Sequence, residues 1–362
     1  MYLLRGQLQY FATNGYRVVL ISGPGLQVRE AAEEQGVQLE EVKIKRDISP
    51  INDLLALLRI IHIILIHRPH IVNTGTPKAG LLVGIAAWLC RVPQRYFTLR
   101  GIRSDRMTGF AAQLVRWAEI TSCRVATQII AVSPSLLQHA RNIGIVPHDR
   151  GLVIHNGSSN GVDSNRFSRT SENVAGGANL RSKLGIPARA LVIGFVGRLS
   201  KDKGISELLD AFGMMRTEYP EARLLLVGPM EDAQYEAIVS DELIYWLDQT
   251  DSVEHVYAAI DILVLPSYGE GFGNVLLEAA AMQLPVIASD ITGCRDAVED
   301  QVTGLLVPVR NAKRLAEAMV RLANEPEYRQ RLGFNGRENA VKNFASEDIW
   351  RGLHRLYISD SE

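Results

Sequence analysis

The sequence predicts an α/β protein made of doubly wound parallel sheets and divided into two domains. Three observations carry this expectation. Short apolar runs, suited to strands covered on both faces, alternate with helical stretches along most of the chain. A turn-rich segment, His155-Asn156-Gly157-Ser158-Ser159-Asn160-Gly161-Val162-Asp163, interrupts the alternation near the middle. The 362 residues are enough for two cores of ordinary size.

Composition narrows the function classes. A net charge of −1 gives no general attraction to nucleic acid. Cys90, Cys123 and Cys294 are few and far apart, which fits a reducing compartment and argues against a disulfide framework or a zinc site. No charge-free apolar run reaches the roughly 18 residues of a membrane span; the longest, residues 79–90, suits a buried helix. The N-terminus turns polar within a few residues and shows no signal peptide. A cytoplasmic protein is expected.

In the first half, residues 2–14 have helical spacing, with Leu4, Leu8 and Phe11 on one side and Gly15 as a stop. Residues 17–22 read as a buried strand. Helix and strand then alternate: 27–35 helical, 37–44 extended, 51–67 helical, 70–73 extended, 78–90 helical and 96–99 extended. A helix over 110–123, a strand at 128–132, a helix near Ser133-Pro134-Ser135 and a strand at 152–155 complete this half. The chain opens on a helix, where a doubly wound domain would open on a strand. Either the true start lies upstream or the domain manages without that strand.

The helix over 51–67 is apolar almost all round, relieved by Arg59, His62, His67 and Arg68. Burial against a sheet is the plainer expectation; the alternative is a helix resting on a bilayer or gripping a polyprenyl chain. His62, His67 and His70 have no acidic or cysteine partner nearby in sequence, so no metal site is expected there. Two loops follow strands. One is Asn73-Thr74-Gly75-Thr76-Pro77-Lys78; the other, Arg100 to Arg106, carries three guanidinium groups in seven residues. Arginine forks suit carboxylates and phosphates, although a solvated basic loop is the bland alternative.

After the turn-rich segment, residues 168–179 are poor in large apolar side chains, and the domain boundary is expected here, between 167 and 168. Residues 191–204 read as a strand that delivers Gly197, Arg198 and Lys203 to its carboxyl end, ahead of a helix at 205–214. Further strands are expected at 223–227, 244–247 and 285–288, and helices over 311–332 and 336–357. The stretch around which the chain is organised is 260–282. An apolar run, Ile262 to Leu265, stops at Pro266; Gly269, Gly271 and Gly273 form a loop; a helix follows, with Asn274 as a plausible cap. The helix tip offers amides and a positive dipole to an anion. Glu270 and Glu278 bracket that tip. Their bland reading is a loop charge and a solvated helix residue.

Glu270 and Glu278, with seven residues between them and Gly-Phe-Gly inside, resemble the E-x7-E motif of retaining glycosyltransferases with the GT-B fold, in particular glycosyltransferase family four. Gly197-Arg198 followed by Lys203-Gly204 resembles that family's other donor motif. The Thr-Pro-Lys and Arg-Gly-x-Arg loops resemble those of members that extend lipid-linked bacterial surface glycans. Many relatives carry His where Arg100 stands, so that residue's role is not carried over; many carry Glu where Asp296 stands.

The resemblance implies two Rossmann-like domains facing a cleft, residues 1–167 for the acceptor and 168–345 for a nucleotide sugar, with a helix over 346–362 returning toward the first domain. The first strand of the N-terminal domain is missing from that pattern. It implies transfer of a hexose or N-acetylhexosamine from a nucleotide diphosphate sugar, UDP-linked, to a glycan acceptor carried on polyprenyl diphosphate, with contact at the cytoplasmic membrane face. Glu270, Arg198 and Lys203 would be catalytic. Gly197, Gly271, Phe272, Gly273, Asn274, Val275 and Glu278 would bind the donor, Glu278 through the ribose. Thr76, Lys78, Arg100 and Arg103 are candidates on the acceptor side. No Asp-x-Asp occurs, and neither metal nor cofactor is implied. A nucleotide-sugar epimerase of the same architecture and a non-catalytic nucleotide-binding protein are the alternative readings.

Overall fold

The computed structural model describes residues 4–45 and 49–359. The chain divides into two compact units: one runs to Asn160 and takes up the chain again from Ser346, and the other is Gly161–Ala345. In the first unit the elements run α1 (Gln7–Thr13), β1 (Val19–Ser22), α2 (Leu26–Glu34), β2 (Gln38–Glu41), α3 (Pro50–His67), β3 (Ile71–Thr74), α4 (Pro77–Leu89), β4 (Gln94–Leu99), α5 (Gly109–Val125), β5 (Gln128–Ala131), α6 (Pro134–Asn142) and β6 (Leu152–Val153). The second unit holds α7 (Ser171–Leu184), β7 (Val192–Val196), α8 (Ile205–Met215), β8 (Arg223–Val227), β9 (Ile244–Leu247), α9 (Val253–Ala259), β10 (Ile262–Leu265), α10 (Asn274–Ala281), β11 (Val286–Ser289), α11 (Cys294–Ala297), β12 (Leu305–Val307), α12 (Ala312–Asn324) and α13 (Pro326–Asn343). The last helix, α14 (Ser346–Ser359), belongs to the first unit. The outermost residues of the expected helices over 2–14 and 346–362 lie outside the described residues.

All strand pairing in the first unit is parallel, but it falls into two sheets, β1-β2 and β3-β4-β5-β6. No ladder joins β1 to β3 among the described residues. In the six-stranded doubly wound order, the strand between those two positions is the first one. The residues of β1 are half-buried rather than buried as expected, since among the described residues one of its edges has no strand beside it. Aromatic packing from α14 supplies part of this core. Tyr357, Leu353 and Ile349 cluster with Phe11, Tyr96, Ile130 and Ile154. The Tyr357 ring lies 4.9 Å from that of Tyr96 and 5.3 Å from that of Phe11.

Helix α3 corrects the expectation of a fully buried element. Ala56, Ile60, Ile63 and Ile64 face the core, where they pack with Leu82, Val83, Ala86 and Ala87 of α4. The opposite side carries Ile51, Leu54, Leu55, Leu58, Leu65 and Ile66, each more than half exposed. At 100° per residue these six, with His62, fall within one stripe. By length and composition α3 is also apolar enough to cross a membrane, a feature hidden in the sequence by its scattered Arg and His.

The second unit is one parallel sheet in the order β12-β11-β10-β7-β8-β9. That is the strand order of a dinucleotide-binding domain, with the topological switch between β7 and β10. The division falls at 160/161, where 167/168 was expected, because the connecting segment already bonds within the second unit. Val162 N–H donates to the Phe344 carbonyl at 2.8 Å, and buried Phe167 packs edge-to-face on Tyr257 at 5.8 Å. The stretch expected as a linker forms α7, capped by the Thr170 hydroxyl on Asn173 N–H at 3.1 Å. The two long helices expected at the C-terminus are three. Pro326, which lacks an N–H, starts α13 one residue after the α12 C-cap, and Phe344 and Ala345 separate α13 from α14.

Candidate active site

The sheet of the second unit brings two distant loops together. β7 and β10 are hydrogen-bonded neighbours, with Ile193 beside Ile262 and Gly194 beside Leu263. The loop after each therefore leaves from the same sheet edge, outside the carboxyl ends at the switch point, where such sheets bind ligands. The loops touch. Gly204 adopts φ +71°, and a Cβ there would lie 2.1 Å from the Pro266 carbonyl oxygen, so only glycine fits both the conformation and the space. Tyr268 N–H donates to the Asp202 carbonyl at 2.9 Å. From the neighbouring strand, Gly293 at φ +83° closes on the loop in the same way; its Cβ would meet the Gly271 carbonyl at 2.7 Å.

This packing sets Lys203 against Glu270. The ammonium lies 2.5 Å from Oε1, and both side chains are about seven-eighths buried, at 15% and 13% exposure. Ser267, fully buried, donates its hydroxyl to the same oxygen at 2.7 Å. Glu270 is thus no solvated loop charge. Its carboxylate is held by two donors of opposite loops, a cost in flexibility that fits a group whose position matters. Arg198, on the Lys203 loop, is about half exposed and pairs with Glu231 and, at 3.5 Å, with Asp202. Tyr268 braces the loop from beneath: its hydroxyl donates to Glu207 at 2.6 Å, and the Arg310 guanidinium sits 4.6 Å from its ring centroid. Burial raises the Tyr268 hydroxyl to about 12, helped by the Glu207 carboxylate.

Helix α10 starts at the glycine loop. Gly273 is its N-cap and Asn274 its first residue, so Asn274 does not serve as the cap expected of it, and no side chain caps this end. The tip amides remain those of the Phe272–Val275 region. Phe272 is buried beside Phe344, with ring centroids 5.6 Å apart, which anchors the tip rather than leaving the ring for a ligand. One turn further on, Glu278 is part-buried and accepts a hydrogen bond at 2.7 Å from the hydroxyl of fully buried Tyr257. Burial pushes its carboxyl from 4.5 up to about 7, although the Tyr257 hydroxyl and the nearby Arg166 charge pull the other way. Arg166 itself is paired with Glu254 at 2.9 Å.

Gly197, Arg198, Lys203, Glu270, Gly271, Phe272, Gly273, Asn274, Val275 and Glu278 thus gather at one sheet edge of the second unit. Ser267, Tyr257, Tyr268 and Glu231 join them and were not singled out from the sequence. Ser267 and Tyr257 had no readable signal, because a serine after proline and a tyrosine in a helix acquire meaning only through burial. The loop at 290–296 also belongs here: Asp290 pairs with Arg295, and burial drives the Cys294 thiol well above its ordinary value. Among the described residues no group of His, Cys, Asp and Glu could hold a metal ion.

Thr76, Lys78, Arg100 and Arg103 lie in the first unit, at the carboxyl ends of β3 and β4. Thr76 is the N-cap residue of α4 but makes no capping hydrogen bond with its side chain. Lys78 pairs with Asp53 at 2.6 Å. Arg103 is exposed, while its backbone N–H donates at 2.7 Å to Glu119, which is 3% exposed. The Ser104 hydroxyl donates to the other oxygen of Glu119 at 2.6 Å, so one buried carboxylate fixes the basic loop.

Known proteins place this architecture. Residues 4–157 match the "Glycosyl transferase 4-like domain" and residues 190–325 match "Glycosyl transferases group 1". The chain is 32% identical to the capsular polysaccharide biosynthesis glycosyltransferase CapM of Staphylococcus aureus, over 98% of this chain and 93% of that protein. It is 28% identical to the N,N'-diacetylbacillosaminyl-diphospho-undecaprenol alpha-1,3-N-acetylgalactosaminyltransferase of Campylobacter jejuni, over 75% of this chain and 72% of that one. Among solved structures, Anabaena HepE in complex with UDP-glucose superposes with a TM-score of 0.84 at 21% identity, covering 99% and 95% of the two chains. Sucrose-phosphate synthase from Thermosynechococcus elongatus gives 0.79 at 23% identity, over 99% and 92%. Two Rossmann-like units with parallel sheets, matched in both halves and nearly end to end, show that the chain belongs to the group 1 glycosyltransferases and is an enzyme of that family with the GT-B fold.

Proposed function

We propose that the enzyme transfers a hexose or N-acetylhexosamine from a UDP-linked sugar, with retention of anomeric configuration, to a glycan carried on polyprenyl diphosphate during surface polysaccharide biosynthesis. The observation that carries this reading is the Lys203–Glu270 contact at the β7/β10 switch. It sets a cation for the leaving diphosphate beside a carboxylate for the sugar, at the edge where a nucleotide would dock. Arg198, Lys203 and the α10 tip would stabilise charge growing on the diphosphate, usually the largest contribution in such sites. Glu270 would orient the sugar and support positive charge at its anomeric carbon. Glu278 would accept hydrogen bonds from ribose hydroxyls. The leaving phosphate oxygen would take the acceptor proton, so no separate base is assigned. With these cations present, the chemistry requires neither metal nor cofactor.

Two relatives favour the acceptor class: one is named for capsular polysaccharide biosynthesis, and another for a diphospho-undecaprenol substrate. Such acceptors reside in a bilayer, and the exposed apolar stripe of α3, with Arg59 and His62 on the same side, supports peripheral contact with the inner membrane face. The test is a donor screen against membrane extracts, reading product mass. A single added hexose or N-acetylhexosamine on a diphosphate-linked lipid is the expected result; no added sugar on any lipid with any donor would refute the reading.

A further inference from the structure

The first unit holds a cation that the donor chemistry leaves unused. Arg100 follows β4 directly, and its guanidinium folds back over Gly75, where Nη1 would lie 1.9 Å from an added Cβ. The group is largely withdrawn from water. Its Nε is buried and has no hydrogen-bond partner, and no carboxylate pairs with it among the described residues. Tyr357, not an acid, is the ionisable neighbour that acts on it, and burial lowers the guanidinium below its ordinary value. Enclosing a charge without a counter-charge is unfavourable, and proteins normally pair such groups. Here the described residues supply no partner.

Its surroundings are built around it. Asn73 donates to the Tyr357 hydroxyl at 2.7 Å, and Thr98 donates to Asn73 at 2.8 Å, which ties the ends of β3 and β4 to α14. Gly75 leads into α4, a helix of 13 residues with no side chain capping its N-terminus. Pro77 brings no N–H of its own to that first turn. Lys78, the other cation nearby, is held by Asp53 at 2.6 Å. The positive end of a helix and an enclosed, unpaired fork therefore stand together at the carboxyl ends of two strands.

We infer that Arg100 and the N-terminus of α4 form a binding site for the diphosphate of the acceptor, with the guanidinium fork on one phosphate and the helix end beside the other. A guanidinium binds a phosphate through two parallel hydrogen bonds, and helix N-termini bind phosphates through dipole and amides together. The inference rests on the proposed diphosphate-linked acceptor. It deepens that reading by separating the two diphosphates of the reaction: the donor's at Arg198 and Lys203, the acceptor's at Arg100.

The site is tested by isothermal titration of the full chain with farnesyl diphosphate, inorganic diphosphate, farnesol and UDP, without turnover. The expected wild-type result is binding of both diphosphates and none of farnesol. Arg100→Gln should weaken farnesyl diphosphate at least tenfold and leave UDP within twofold. Arg100→Lys should keep part of the affinity, since the charge remains and the fork is lost. Gly75→Ala tests the geometry with the charge intact, because the added methyl displaces the guanidinium; a loss similar to that of Arg100→Gln is expected. Circular dichroism identifies any variant that fails to fold, and the remaining two then decide. Unchanged farnesyl diphosphate affinity in the folded variants would overturn the site, as would a loss confined to UDP. If diphosphate binding depends on Arg100 while no sugar transfer to diphosphate lipids occurs, the site stands and the proposed acceptor fails. If transfer occurs with an unchanged acceptor KM in Arg100→Gln, the reverse holds.

Discussion

Tyr257, buried beneath the sheet edge, donates its hydroxyl to Glu278 at 2.7 Å, and the carboxyl it holds titrates near 7. Two consequences follow from the sign of that shift. In the proposed role, ribose hydroxyls would bond more strongly to the ionised carboxylate than to the neutral acid, so UDP affinity should fall as pH drops through about 7, and Glu278→Gln should remove this dependence while weakening binding. In folding, the carboxyl holds its proton more tightly in the native state than at its ordinary value of 4.5. The stability it contributes is therefore highest below that value, declines as pH rises toward 7 and is level above. Glu278→Gln should flatten that decline, a change of up to about 3 kcal/mol between the two limits. Thermal melts at pH 5 and 8 for both proteins check it; parallel slopes would place the titration elsewhere.

Glu270 should fail differently from Glu278. Its carboxylate is fixed by Lys203 and Ser267, and in the proposed reaction it would face positive charge that develops only as the glycosidic bond breaks. Glu270→Gln keeps size and hydrogen bonding, so kcat should fall by about 10²–10³-fold with UDP affinity little changed. Glu278→Ala should mainly raise the donor KM. Steady-state kinetics with UDP titrations separate the two, and a wild-type kcat in Glu270→Gln would remove the electrostatic role.

Arg198 is half exposed and pairs with surface side chains, Glu231 and Asp202. Arg198→Ala should leave the fold intact and lower both donor affinity and turnover, by about 2.7–4 kcal/mol in transition-state stabilisation. Full activity in a folded variant would exclude it from the reaction.

Turnover should be insensitive to chelation, because Lys203, Arg198 and the α10 tip supply the positive charge. Assays with EDTA, and with Mn²⁺ added back, measure this; loss and recovery of activity would show a metal requirement.

The α3 stripe should bind anionic membranes. Leu54→Asp with Leu58→Asp lies on the exposed side and should leave thermal stability nearly unchanged, yet reduce sedimentation with phosphatidylglycerol vesicles severalfold. Equal sedimentation of variant and wild type would rule out this face.

The sequence by itself determined the α/β class and most of the second unit. Its strands are continuous apolar runs ended by glycine loops, and each such unit specifies itself locally: Ile262–Leu265, Pro266 and the glycines need no distant partner to be read. The residues of the candidate site were legible for the same reason, because a strand end fixes where its loop must go. Tertiary structure alone decided which of them meet. Lys203 and Glu270 are 67 residues apart, and only the pairing of β7 with β10 makes them neighbours. It also decided the burial of Ser267 and the hold of Tyr257 on Glu278, contacts between residues with no shared periodicity. The outward face of α3 was illegible because an apolar side chain looks the same in sequence whether a sheet or the solvent lies against it. Burial is a property of the neighbours, and α4 covers one side of α3 and leaves the other bare.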